Sequence, residues 1–208
     1  MATATPQTPA RSQSRPSPRQ RLRNGAAEGA LVRVYREHQM RFARAVEVNS
    51  GIGFGPNVLV HYLDGDQEQE KLYGNIIQPV DATWLQTMKT RMVGLEREFR
   101  SQATNEPVKG QRVNPRRRLK CGVREGALVR IYREHHIRFG IATQIDAGPG
   151  LGPNVTIAYL DTEPGDTLGT KVYGNVVQPV NAPWLENMKA RVRELEQALE
   201  AEQATALN

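Results

Sequence analysis

All six tyrosines and both tryptophans of this chain fall in matched pairs: Tyr35 with Tyr132, Tyr62 with Tyr159, Tyr73 with Tyr173, Trp84 with Trp184. Phe42 pairs with Phe139 in the same way. Rings gathered at one place attract cations through their faces, so one reading is an aromatic site in each half of the chain. The other is a packing requirement stated twice. The remaining polar groups offer little chemistry. Glu37 beside His38, repeated as Glu134 beside His135, joins an acid to an imidazole, but consecutive residues in a strand or tight turn point apart. No serine or cysteine nucleophile accompanies them in both copies. The four histidines lack paired cysteines or an HxxxH spacing, which argues against zinc. The "SGIGFGP" stretch, residues 50–56, alternates glycines without a phosphate-loop lysine or a following helix. The expectation is a chain with no catalytic residues, no metal and no cofactor, and not an enzyme.

The pairing follows from a duplication. "EGALVRVYREHQMRF" at Glu28–Phe42 returns as "EGALVRIYREHHIRF" at Glu125–Phe139, and "GPNVLVHYLD" at Gly55–Asp64 as "GPNVTIAYLD" at Gly152–Asp161. "KLYGNIIQPV" at Lys71–Val80 returns as "KVYGNVVQPV" at Lys171–Val180. The offset is 97 up to the tyrosines Tyr62 and Tyr159 and 100 at the last phrase, so the second copy carries three extra residues in "DTEPGDTLGT". Insertions of that kind belong in loops. With 208 residues, the chain divides into two small domains rather than one ordinary one. Identity between copies also follows from recent duplication, so it does not by itself separate a site from packing.

Composition narrows the setting. A single cysteine, Cys121, excludes an internal disulfide framework and a cysteine-rich zinc site. Apolar stretches such as "NVLVHYL" fall far short of the roughly 18 residues of a membrane span, so the expectation is a soluble, intracellular protein. Charge is segregated. Residues 1–27 carry five arginines and no acid, and residues 100–124 carry eight basic residues against Glu106, a net +7. That leaves −6 for the rest of a +6 chain. The two basic segments are too poor in apolar residues to fold alone.

Each repeat reads as four short runs with strand chemistry and then a helix. The first copy gives "ALVRVYRE", "RFARAVEVN", "NVLVHYLD" and "KLYGNIIQPV", separated by turn residues. Alternation selects Val32, Val34, Val58, Val60, Tyr62, Leu72 and Ile76 as one face, with Val129, Ile131, Val155, Ile157, Tyr159, Val172 and Val176 in the second copy. Four or five such strands bury one face most simply by curling into a small antiparallel barrel. Asp81 and Asn181 are N-cap residues for the helices. The apolar positions Leu85, Met88, Met92, Leu95 and Phe99, matched by Leu185, Met188, Val192, Leu195 and Leu199, have the 3–4 spacing of a short coiled coil. Each seam could pack on its own barrel, pair with the other helix, or pair between chains as a homo-oligomer.

At these residues the repeats resemble the Tudor and Agenet group of the Royal superfamily. The likeness lies in the order "EGALVRVY…RFARAVEV…NVLVHYLDGD…YGNIIQPV" and covers about fifty residues per repeat. The resemblance implies a tandem pair of SH3-like barrels that recognise peptides bearing methylated lysine or arginine in an aromatic cage, without catalysis. It maps Tyr62 and Tyr159 to the third-strand aromatic, Asp64 and Asp161 to the acid two residues on, and Phe42 and Phe139 to the second-strand aromatic. Tyr73 and Tyr173 join the candidate rim. The first turn departs from the pattern, reading "REHQM" and "REHHI" where readers often place a cage aromatic.

The expected organisation is a mainly β protein: a disordered basic tail (1–27), barrel 1 (28–80), helix 1 (81–100), a basic flexible linker (101–124), barrel 2 (125–180) and helix 2 (181–204). Its expected partners are proteins or peptides, methylated ones included, in a nuclear or chromatin-associated assembly. "PRRRLK" offers Arg116, Arg117, Arg118 and Lys120 to an import receptor or to nucleic acid. Arg33, Arg36, Arg41 and Arg44, matched by Arg130, Arg133 and Arg138, are a rival nucleic-acid cluster. The Ser-, Ala- and Arg-rich start of the chain also reads as an organelle transit peptide, and with it the chain becomes a structural subunit of a plastid or mitochondrial complex. No membrane contact is expected.

Overall fold

The computed structural model describes residues 21–49, 57–65, 69–104, 117–133, 136–146, 154–161 and 169–206. Each repeat forms five antiparallel strands and one long helix. In the first these are β1 (Leu31–Arg36), β2 (Gln39–Val48), β3 (Val58–Tyr62), β4 (Gln69–Leu72), β5 (Ile77–Pro79) and α1 (Ala82–Thr104). The second follows with β6 (Leu128–Arg133), β7 (His136–Ile145), β8 (Val155–Tyr159), β9 (Thr170–Val172), β10 (Val177–Pro179) and α2 (Ala182–Ala206).

The first sheet runs β4-β3-β2-β1-β5, and the second has the same order, β9-β8-β7-β6-β10. The phrase expected to be one closing strand is therefore two. "KL" ends β4, Gly74–Ile76 make a single 3-10 turn, and Ile77 to Pro79 cross to pair with β1. Such a turn advances only about 2 Å per residue, yet it joins the two edges of a five-stranded sheet. The sheet must therefore curl strongly. No pairing joins β4 to β5 among the described residues, so these are curled open sheets rather than closed barrels.

Alternation builds the cores as expected. Val32, Val34, Ala43, Ala45, Val58, Val60, Tyr62 and Leu72 fill the concave side of the first sheet, with Ile77 fully buried and Ile76 only partly so. The unit begins earlier than expected. Leu22 and Ala26 belong to the first core, and Leu119 and Val123 to the second. Residues 21–27 and 118–124 form matching turns, closed by bridges between Arg21 and Ala27 and between Arg118 and Arg124. The expected basic tail and linker thus each give up their last residues to the fold, and α1 takes the linker's first four.

A third core lies between the repeats. Leu85, Met88, Met92 and Leu95 of α1 meet Leu185, Met188, Val192 and Leu195 of α2, together with Leu31, Met40, Phe42, Leu128, Ile137 and Phe139 from the sheets' outer faces. The N-caps form as expected, with Trp84 N–H donating to Asp81 Oδ1 at 2.7 Å and Trp184 N–H to Asn181 Oδ1 at 2.9 Å. Each helix starts on its own sheet, where Trp84 meets Phe42 edge-on at 5.7 Å and Trp184 meets Phe139 at 5.9 Å. Each then ends on the other repeat: Gln102 donates to Gly126 O at 3.2 Å, and Glu202 pairs with Arg44. The helices run antiparallel, with Lys89 paired to Glu196 and Lys189 3.2 Å from Glu96. Tyr35 and Tyr132 meet edge-on at 6.3 Å, completing a pseudo-two-fold arrangement.

Candidate functional site

β2 sorts its side chains by parity. Met40 and Phe42 face the helices, whereas Arg41, Ala43 and Ala45 face the concave side, where Ala43 pairs with Tyr62. Phe42 and Tyr62 thus lie on opposite faces of the sheet and cannot wall one cage. Phe42 is 2% exposed and Phe139 1%. The two phenylalanines expected to line a cage are core residues of the helix interface. They are held there because the long helices supply the apolar cover that an isolated sheet would lack.

Tyr62 and Asp64 do come together, around a cation of the chain's own. The Arg41 guanidinium carbon lies 3.6 Å from the Tyr62 ring centroid. Its Nε donates to Asp64 Oδ2 at 2.9 Å and its Nη2 to Asp64 Oδ1 at 2.5 Å, the bidentate fork that suits a carboxylate. In the second repeat Arg138 lies 3.7 Å from the Tyr159 ring and 3.5 Å from Asp161 Oδ1. The acids also receive the exchanged helices. Arg191 of α2 stands 3.4 Å from Asp64 and donates to Met40 O at 3.0 Å. Arg91 of α1 stands 2.6 Å from Asp161 and donates to Ile137 O at 3.2 Å.

The electrostatics fit this role. Burial works against the Asp64 charge, but Arg41 and Arg191 outweigh it and hold the carboxyl below its ordinary range. Burial, then the hydrogen bond to Glu70, push the Tyr62 hydroxyl well above its usual value. Burial likewise pushes the Tyr35 hydroxyl up to about 12. Sequence reasoning placed the ring and acid as a receptor for an external cation, whereas here the chain fills that receptor itself. Strand register is what reveals it: Arg41 lies two residues from Ala43 and Arg138 two from Gly140, the residues that pair with Tyr62 and Tyr159.

Tyr62 also lines an open cleft of about 300 Å³ with Val34, Arg36, Glu37, Gln39, Arg41 and Glu70. Its hydroxyl donates to Glu70 Oε2 at 2.6 Å. Arg36 pairs with Glu70 and lies 3.4 Å from Glu37. Glu37 and His38 occupy the left-handed region at φ 51° and 62°, the two central residues of a two-residue hairpin turn. The corresponding residues Glu134 and His135 lie outside the described residues, as does the "SGIGFGP" stretch. Tyr73 and Tyr173 are on neither cleft nor cage; they stand 54% and 53% exposed beside the 3-10 turns.

The rival arginine cluster is spent internally. Arg33 lies 4.8 Å from the Trp84 ring and donates to Pro79 O at 2.8 Å, Arg130 does the same with Trp184 and Pro179, and Arg44 takes Glu202. Of the linker cations, Arg116 lies outside the described residues. Arg117 sits 3.5 Å from Glu125, and Arg118 and Lys120 flank Leu119, which is 8% exposed in the second core. An import receptor taking "PRRRLK" as an extended strand would have to withdraw Leu119 from that core. No helix of the described residues is long and apolar enough to cross a membrane, and no group of three metal-ligating side chains occurs among them.

Compared by sequence, no protein-family model and no curated protein matches the chain.

Proposed function

We propose that the protein is a non-enzymatic, tandem Tudor-like binding module that recruits or scaffolds protein partners in a nuclear, chromatin-associated assembly. Two curled sheets locked through exchanged helices form a support for binding surfaces held at fixed separation. The observation that carries the reading is the first-repeat cleft, where the Tyr62 ring and the Glu37 and Glu70 carboxylates border one opening. A cation entering there exchanges Arg36 for itself at Glu70 and meets only the part of Tyr62 that lines the cleft, since Arg41 holds a ring face; methylation favours that exchange because a methylated guanidinium or ammonium sheds water more readily. Phe42 takes no part in this version; Arg41 and Asp64 set the back wall.

The test is fluorescence anisotropy of the full chain with matched peptides carrying unmodified, monomethylated or dimethylated arginine and lysine. Methylated forms should bind more tightly, and Glu70→Gln, checked for unchanged melting, should weaken them roughly 3- to 30-fold, the range of a partly desolvated cation on a ring. Equal affinity across the peptide set, or a Glu70→Gln variant that binds as the parent does, sinks the proposal.

A further inference from the structure

Many cations of the folded repeats are engaged, as Arg33, Arg36, Arg41, Arg44, Lys89 and Arg91 show in the first and Arg130, Arg138, Lys189 and Arg191 in the second. Others are not, and apart from Arg97, Arg124 and Arg193 several of these stand around one corner in each repeat. Arg21 and Arg23 flank the buried Leu22, and Arg118 and Lys120 flank Leu119 in the same way. Each leucine packs against the glycine that opens the 3-10 turn: a Cβ on Gly74 would come 2.8 Å from Leu22, and one on Gly174 2.8 Å from Leu119. The residue just before that glycine is the exposed tyrosine, Tyr73 or Tyr173. Two residues earlier on the same side of the edge strand stands an exposed lysine, Lys71 or Lys171, with a buried Leu72 or Val172 between. Among the described residues the side chains of Arg21, Arg23, Lys71, Tyr73, Arg118, Lys120, Lys171 and Tyr173 make no ion pair or hydrogen bond.

These corners are stiff. Asn57 Oδ1 accepts from Gly74 N–H at 2.8 Å and Asn154 Oδ1 from Gly174 N–H at 2.7 Å. The Asn24 amide donates to Ile77 O, and Cys121 Sγ, at the equivalent position, to Val177 O at 3.4 Å. An uncovered ring held on a fixed turn loses little freedom when something stacks on it.

We infer that the two corners are a matched pair of single-stranded nucleic-acid contacts, in which a base stacks on Tyr73 or Tyr173 and the flanking phosphates meet the three cations beside it. An acidic peptide would satisfy the cations but leave the ring without a role. A duplex would hide its base faces from the ring. Stacking on an aromatic between cations answers both features at once and needs no base identity.

The test uses the full chain and labelled oligouridylate and oligothymidylate, read by anisotropy across a salt series, with the matching duplex and a poly-glutamate peptide as competitors. Both single strands should outcompete the duplex; preference for one sets the inference to RNA or to DNA. Tyr73→Ala with Tyr173→Ala keeps every charge, so it should weaken binding at least about tenfold while leaving the salt slope unchanged. Tyr73→Phe with Tyr173→Phe keeps the rings and should bind as the parent does. Lys71→Gln with Lys171→Gln should reduce the slope by about 1.4, two phosphate contacts' worth. Undiminished binding by the alanine pair, loss in the phenylalanine pair, or competition by poly-glutamate equal to that of the single strands each overturns the inference, as does failure of the parent to bind.

Discussion

The arginine of each repeat that lies on its own tyrosine is also one link of a longer chain: ring, guanidinium, carboxylate, and a second guanidinium from the other repeat's helix. Asp64 is the joint, and one of the differences between its surroundings and those of Asp161 is a charged one. Glu194 of α2 approaches Asp64, whereas α1 has Gly94 at the equivalent place. Glu194 Oε2 is buried without a hydrogen-bond partner among the described residues. Burial, then the neighbouring Asp64 charge, push its carboxyl upward, with Arg191 giving partial relief. A carboxyl raised in the folded state favours folding below its unfolded value of about 4.3 and loses that contribution as pH rises through its folded value. Glu194→Gln should therefore melt higher than the parent at pH 7, with the gap closing by pH 4; an unchanged or lower melting temperature at pH 7 would contradict this. Asp64 has the opposite sign, and its lowered value keeps its contribution until pH falls below about 3.9. Both proteins retain Asp64, and at pH 7 it is ionised in each, so the comparison there reports Glu194. Position 62 as an aromatic and 64 as its acid were legible from the sequence. That the cation between them belongs to the chain was not, because an arginine in a strand run reads as a solvated residue until strand register puts it on the tyrosine's face.

At the level of elements, the sequence carried the strand alternation, both N-caps and the full helix seam. It did not carry the seam's partner: a 3–4 spacing is equally satisfied by any apolar surface, so the same residues fit three arrangements. The observed one is a compound of two, since each helix lies on a sheet and on its fellow helix. The break inside "KLYGNIIQPV" was hidden for a different reason. Its apolar residues change parity only at Ile76 and Ile77, and a single 3-10 turn is too short to leave a periodic trace. The start of each unit was hidden because one leucine among arginines gives no pattern at all. Leu95 and Leu195 are both fully buried in the central core, so truncating either should affect both repeats. Leu95→Ala should cost about 2–5 kcal/mol and still give one cooperative transition by calorimetry. Two separated transitions, with the second repeat melting as in the parent, would show that the central core does not couple them.

For the molecule as a whole, the covalent path between repeats and the path of contacts are separate things. Residues 105–116 join α1 to the second unit, but among the described residues the contacts between repeats are made by the exchanged helices and the Tyr35–Tyr132 pair: the central core, the reciprocal Lys–Glu pairs and the two arginines on Asp64 and Asp161. A protease site placed between residues 105 and 116 and then cut should leave both pieces eluting together at the parent's volume and melting at a temperature that now depends on concentration. Pieces that separate on the column after cleavage would disprove it. The helix exchange thus makes the chain a heterodimer written as one polypeptide, with the linker serving as a local-concentration device. Two genes would have to co-express two partners to keep such a pair together, whereas here stoichiometry is fixed by translation. Each half is then free to change where the other does not, as Glu194 opposite Gly94 already shows.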